Sequence, residues 1–293
     1  MRFTASGLSR LAAGLSLGLS LASASFAQTP LEALSDTVEQ VEQTLGARVG
    51  LALVDTGSGR SWFHRGDERF LMNSTVKVPV CGAVLALDDA GVLDLSESLP
   101  VVQEEILSYA PVTKTRVGQQ MTLAELCLAA IDISDNTAAN MLIDRVGGPQ
   151  AVTAFFRAAG DQASRLDRRE PELNSFRAGN PQDTTTPAAM SGTLRALLFG
   201  EVLSPAAREQ LAEWMSQGGV TRNLLRADAP ASWQILDKSG AGSHTRNIIA
   251  AITPDGGDPW IVTIFVSDVD ADFETRNAAL RRIGSAAMAV VGG

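Results

Sequence analysis

The chain has 293 residues, 45% hydrophobic and 19% charged, with a formal charge of −9 and only two cysteines and two histidines. That length is enough for one or two domains around a sizeable core, and so acidic a chain is a poor nucleic-acid binder. His64 and His244 stand far from each other and from the cysteines, a poor pattern for zinc, so neither a metal nor another cofactor is expected.

Residues 1–27 read as a secretory signal peptide. Arg2 and Arg10 precede the apolar stretch 11–21, and Ser25-Phe26-Ala27 puts small residues at the −3 and −1 positions of a cleavage site. The stretch is too short to span a bilayer and no later run is longer, so a soluble, periplasmic or secreted protein free of the membrane is expected. In an oxidising compartment Cys81 and Cys127 can form one bridge, the alternative being two separate buried thiols.

After the cleavage site, Leu31, Leu34, Val38, Val41 and Leu45 recur at a helical period. Residues 48–54 read as a strand, 55–59 as a turn and 61–64 as the return strand. A buried helix follows Ser74 and stops near Gly91, with Pro79 threatening a kink. Residues 92–121 have little periodicity and hold Tyr109, the sole tyrosine. Thr122 and Glu125 form a capping box before an apolar helix, and Ser134-Asp135-Asn136 precedes another at 137–146. Pro149 and Gly160 bracket a further helix. From 161 to 186 the pattern fails in a charged, proline-bearing loop whose arginines and acids favour internal pairing. Helices return at 187–199 and 205–215, strands at 233–238, 246–252 and 260–267 with a turn around Gly240-Ala241-Gly242, and a last helix covers 273–291.

Strand-forming segments at both ends most simply share one antiparallel sheet, leaving the helical middle as a separate unit. The expected fold is α/β, of the α+β type: a sheet flanked by helices from 28–66 and 219–293, an all-helical subdomain from 67–218, and the active site in the cleft between them.

Ser74 and Lys77 lie three apart, on one face of a helix, so the lysine can reach the hydroxyl. A serine needs such a partner, because its hydroxyl is a poor nucleophile at neutral pH. Only Lys77, Lys114 and Lys238 are lysines, and two of them neighbour a serine; lysine can shed its proton in a protein, whereas arginine cannot. Ser134, Asp135 and Asn136 also have an ordinary reading as helix N-caps, and Glu170 as a salt-bridge partner of Arg165 or Arg168. A partly buried carboxylate beside Pro171 is equally a reasonable general base for activating water. The sole Gly-x-Ser-x-Gly, at 14–18, falls in the signal peptide.

Ser74-x-x-Lys77, Ser134-Asp135-Asn136 and Lys238-Ser239-Gly240, in this order, resemble the signature shared by class A β-lactamases and penicillin-binding proteins. Glu170-Pro171-Glu172-Leu173-Asn174 is similar to the Ω-loop motif of the class A β-lactamases, here within 161–183, which penicillin-binding proteins lack. The resemblance spans essentially the whole chain after 27. It implies a monomer that hydrolyses small β-lactams, mainly penicillins, and so confers antibiotic resistance. It implies that Ser74 attacks the lactam carbonyl, with the oxyanion held by the N–H groups of Ser74 and Ala241, and that Lys77 and Glu170 are rival acylation bases. Ser134 would pass a proton to the leaving nitrogen, Asn136 would bind the side-chain amide, and Glu170 with Asn174 would hold the deacylating water. Lys238, Ser239 and Arg246 would anchor the substrate carboxylate, and Tyr109 would wall the cleft. Arg168 with Asp183 would pin the Ω loop, Glu170-Pro171 would be a cis peptide, and Cys81–Cys127 would match a disulfide of many members. Neither Asn73 nor His244 is a cysteine, so the extra bridge of several class A carbapenemases is ruled out and carbapenems are expected to be poor substrates. A D,D-peptidase and a penicillin-sensing domain are the rival readings, both disfavoured by Glu170 and Asn174 or by the lack of an anchor.

Overall fold

The computed structural model describes residues 28–293; the expected signal peptide at 1–27 lies outside the described residues. Helix α1 (Pro30–Leu45) starts at a capping box between Thr29 and Glu32, with Pro30 at its first position, and ends at Gly46 in the left-handed region. It buries Leu34, Val38 and Val41, the stripe its periodicity predicts. The hairpin β1 (Arg48–Asp55) and β2 (Ser61–His64) follows.

Strands β7 (Gln234–Ala241), β8 (Arg246–Thr253) and β9 (Trp260–Ser267) join that hairpin in one antiparallel sheet, ordered β2-β1-β9-β8-β7. Helix α8 (Phe273–Val291) packs with α1 on one face, over Ile248, Ala250, Ile252, Val262, Ile264 and Val266. The alternate residues Ile249, Ala251, Ile261 and Phe265 face the second core. Strands covered on both faces read as continuous apolar runs, which is how β8 and β9 read.

The second core is built mainly of helices: α2 (Lys77–Asp89), α3 (Leu123–Asp132), α4 (Asn136–Arg145), α5 (Pro149–Ala158), α6 (Pro187–Phe199) and α7 (Pro205–Ser216). Helix α6 lies against the sheet, where β1 makes room for it. A Cβ on Gly50 would sit 2.4 Å from the Phe70 ring and 2.7 Å from Pro187. Helix α2 is apolar nearly all round, and its residues Lys77 to Leu85 are buried. Pro79 does not kink it, because it falls in the first turn, where a missing N–H removes no intrahelical bond.

Two short pairings escape sequence patterning. Strand β3 (Phe70–Leu71) pairs with β6 (Thr184–Thr185), and β4 (Ser98–Pro100) pairs with β5 (Gln120–Thr122). The first fastens the end of the 161–186 loop beside the segment that leads to Ser74. Among the described residues no helix is long and apolar enough to cross a membrane.

The expected disulfide is not formed. Cys81 on α2 and Cys127 on α3 are free thiols, fully buried where the two helices pack. Burial raises the Cys127 thiol well above its usual range, and Cys81 beside it adds to the rise.

Candidate active site

Ser74 lies in a 3₁₀ turn, Asn73–Val76, immediately before α2. Strand β7 runs against this turn: a Cβ on Gly240 would lie 2.9 Å from Met72 O and 3.2 Å from Ser74 N. Only glycine permits that approach, and β7 continues through Lys238-Ser239-Gly240 to Ala241, paired with Asn247 and Arg246 of β8, rather than turning at Gly240. The turn is displaced to 242–245.

Ser74, Tyr109, Ser134, Asn136, Asn174, Ser239, Gly240, Ala241 and Arg246 share one cleft of about 390 Å³. Larger cavities, of about 430 and 540 Å³, lie elsewhere on the molecule and contain no paired nucleophile and base. Chemistry, rather than size, marks the site.

Lys77 is completely buried, and its Nζ does not bond to Ser74 as the i,i+3 spacing predicts. It donates instead to Ser134 O at 2.8 Å, Asn136 Oδ1 at 2.6 Å and Ser134 Oγ at 3.3 Å. Glu170 Oε1 lies 3.2 Å away as an ion pair whose geometry is not that of a hydrogen bond. Acceptors on a neighbouring element thus outcompete the hydroxyl one turn away. Burial lowers the pKa of Lys77, opposed by the attraction of Glu170.

Ser134 Oγ also accepts from Lys238 Nζ at 3.0 Å, so the hydroxyl stands between two buried lysines. Burial pushes the Lys238 pKa well down, and repulsion from Lys77 and Arg246 adds to it. The cap of α4 is Asp135 alone. Its carboxylate accepts from Ala138 N, Val112 N and Thr113 N, each at 2.9 Å, which frees Ser134 and Asn136 for the cleft and fastens the segment carrying Tyr109. Tyr109 is 47% exposed on the cleft wall, and its carbonyl accepts from Asn136 N at 3.0 Å.

Glu170 does not salt-bridge to the loop arginines, which are engaged elsewhere. Arg165 pairs with Asp167, Arg168 with Asp183, and Arg169 with Asp144. The Glu170 carboxylate is buried beside Lys77, its Oε2 accepting from Asn174 Nδ2 at 2.5 Å. The Glu170-Pro171 peptide is cis, as the resemblance implies. Sequence reasoning missed Asn140, whose amide accepts from Glu170 N and donates to Glu170 O, both at 2.8 Å. Its signal was present: it lies one turn from Asn136 on the same face of α4. Asp183 closes the loop, accepting from Asp167 N at 2.8 Å and Arg168 N at 2.9 Å, while its carbonyl accepts from Met72 N at 3.0 Å.

Arg246 opens β8 beside the cleft, donating to Gly240 O at 3.1 Å and Asn277 Oδ1 at 3.0 Å. Burial, with repulsion from Arg276, brings its pKa down to about 10. Arg276 and Asn277, at the start of α8, were not singled out from sequence. Lys238, Arg246 and Arg276 form a local concentration of positive charge in an acidic protein. The arrangement can activate a hydroxyl, supply a proton from Ser134, and hold an anion.

Residues 33–291 match a family described as the beta-lactamase enzyme family. A beta-lactamase of Rhodobacter capsulatus is 66% identical over 99% of both chains, and beta-lactamase L2 of Stenotrophomonas maltophilia is 45% identical over 86% of this chain and 84% of its own. Among solved structures, an ancestral (GNCA) class A beta-lactamase is 47% identical with a TM-score of 0.84, covering 87% of this chain and 98% of that one. A beta lactamase from Xanthomonas campestris is 41% identical with a TM-score of 0.87, covering 90% and 99%.

Proposed function

The chain belongs to the class A serine β-lactamases, and we propose that it opens penicillins through an acyl-enzyme on Ser74 that water activated by Glu170 then hydrolyses. It is a β-lactamase: it hydrolyses the cyclic amide of small β-lactam compounds, the activity that confers resistance.

In the first half-reaction Ser74 Oγ bonds to the lactam carbonyl carbon as its proton enters the Lys77–Glu170 pair, directly or through a water. The tetrahedral oxyanion is held by the N–H groups of Ser74 and Ala241. The C–N bond then breaks, and the ring nitrogen takes a proton from Ser134, whose hydroxyl is resupplied along its contacts with Lys77 and Lys238. In the second, a water gives a proton to Glu170 and its oxygen bonds to the ester carbon. The C–Oγ bond breaks, Ser74 regains its proton, and the ring-opened acid leaves. Asn136 binds the acyl side-chain amide, and Lys238, Ser239 and Arg246 bind the carboxylate.

The observation that carries this reading is the buried Glu170 carboxylate, ion-paired to Lys77 and bonded to Asn174, which lines the Ser74 cleft. A group that only had to be acylated would need no such base. Preference for penicillins over carbapenems follows from the family resemblance, since neither Asn73 nor His244 is a cysteine that could form the extra bridge of several class A carbapenemases. Residues 1–27 support export to the periplasm or beyond, where the enzyme would act as a monomer free of the membrane.

The deciding experiment compares benzylpenicillin hydrolysis by the wild type and Glu170→Ala, with intact masses of both. Turnover by the wild type and a stalled Ser74 adduct in the variant are expected. A wild type that itself stalls acylated overturns the hydrolytic mechanism, and carbapenem turnover as fast as benzylpenicillin overturns the preference.

A further inference from the structure

We infer that Asn73 is a positioning residue for deacylation: its buried amide holds the Asn174 amide, and through it the environment of the Glu170 carboxylate. The inference rests on the proposed hydrolysis and adds a residue to it.

Asn73 precedes the nucleophile, has φ +49° and is 0% exposed. Its side chain spans two parts of the fold. Asn73 Nδ2 donates to Asn174 Oδ1 at 2.9 Å, across to the 161–183 loop. Asn73 Oδ1 accepts from Thr245 Oγ1 at 2.7 Å and Asn247 Nδ2 at 2.9 Å, on the turn before β8 and on β8 itself.

The hydrogen bonds give these amides one consistent polarity. Asn247 Nδ2 also donates to Leu71 O at 2.8 Å and Met72 O at 3.3 Å. Backbone carbonyls only accept, so the amide end facing them must be the NH₂. The atom of Asn73 facing that NH₂ is therefore oxygen, and its own NH₂ points to Asn174. The facing atom of Asn174 is then oxygen in turn, and its NH₂ donates to Glu170 Oε2 at 2.5 Å and to Pro171 O at 3.3 Å, which demands the same orientation. A fixed polarity thus runs from two backbone carbonyls, through three amides, to the carboxylate. Losing the Asn73 donor leaves Asn174 Oδ1 without that partner and its amide held by Glu170 and Pro171 O alone, loosening the donor that faces the group that must take the water's proton. Asn174 and Glu170 take no part in forming the acyl bond to Ser74, except through the acylation proton, so a fault in the relay falls chiefly on the second step.

Two variants separate this role from a merely structural one. Asn73→Asp keeps a residue that tolerates positive φ, and keeps the acceptors for Thr245 and Asn247, but loses the donor to Asn174. Asn73→Gly fits the same backbone with no side chain and no buried carboxylate. Rapid-quench kinetics with benzylpenicillin, intact mass and thermal unfolding are recorded for both beside the wild type. Deacylation is expected to fall about tenfold or more, the loss of roughly one well-placed hydrogen bond, with acylation within about threefold and a Ser74 adduct accumulating. If Asn73→Asp does not fold, Asn73→Gly decides. A wild type that turns over while the variants lose both steps equally, or neither, overturns the relay alone. A wild type that stalls as an adduct overturns the hydrolytic reading and the relay with it.

Discussion

Lys77 and Lys238 flank one hydroxyl, and their burial sets the pH range of the chemistry. Lys238 holds its proton far less tightly than an exposed lysine, through burial first and then Lys77 and Arg246, and Arg246 is brought to about 10. Both must be cationic to hold a carboxylate, so as pH rises through these lowered values the anchor loses charge. KM for benzylpenicillin is therefore expected to climb on the alkaline side below pH 10.5, where an ordinary lysine is half-protonated, in steady-state profiles; a flat KM to that pH contradicts the anchor. The same shifts bear on stability with a definite sign. Between its lowered folded value and its unfolded one, each buried lysine binds more protons when unfolded, so their contribution to stability rises with pH across that window. Arg246→Gln should raise KM for benzylpenicillin about tenfold with a smaller effect on kcat, since a charge-assisted pair is worth roughly 1.5–3 kcal/mol.

The loop from 161 to 183 has almost no regular structure, yet its ends are bound as firmly as a helix. Asp161 accepts from Ala163 N, Ser164 N and Thr193 Oγ1, each at 2.8 Å, and Asp183 gathers Asp167 N, Arg168 N and the Arg168 side chain. Asp183→Asn sets an NH₂ against the Arg168 guanidinium in a buried position. A cost of about 1–3 kcal/mol is expected from the lost charge-assisted bonds, read by thermal unfolding, together with slower deacylation as Glu170 loosens. Unchanged deacylation would separate the loop anchor from the chemistry. Strand β1 offers a test of packing alone: Gly50→Ala drives a methyl into Phe70 and Pro187 and should destabilise by about 1–3 kcal/mol, leaving KM near that of the wild type. The long elements were legible because each repeats its signal over many residues, as the five apolar positions of α1 do. The pairs β3–β6 and β4–β5, two or three residues per strand, are too short to carry a period, and the extension of β7 to Ala241 depends on what packs against Gly240.

Across the molecule, the sheet and the helical core are joined beneath the cleft by Arg226. Its guanidinium donates to Met215 O at 2.9 Å, Ile235 O at 2.8 Å and Asp237 Oδ1 at 2.9 Å, joining the end of α7 to β7 one residue before Lys238. Burial raises the Asp237 pKa and Arg226 opposes the rise. Arg226→Ala removes the main partner of that carboxylate, leaving Thr221 and Lys238, and is expected to cost about 1–3 kcal/mol, with a lower denaturant midpoint; an unchanged midpoint would contradict the role. What the amino-acid order determined was the set of reactive groups, the helices and strands that carry them, and the class of chemistry, because those signals are local in residue type, spacing and period. The tertiary structure decided which groups meet. Lys77 turns from Ser74 to Ser134, Asn136 and Glu170, Asn73 joins Asn174 to Asn247, and Cys81 and Cys127 lie buried as thiols. Each of these depends on a hydrogen bond or a burial completed by residues roughly fifty to one hundred and seventy positions away, a competition that no local pattern encodes.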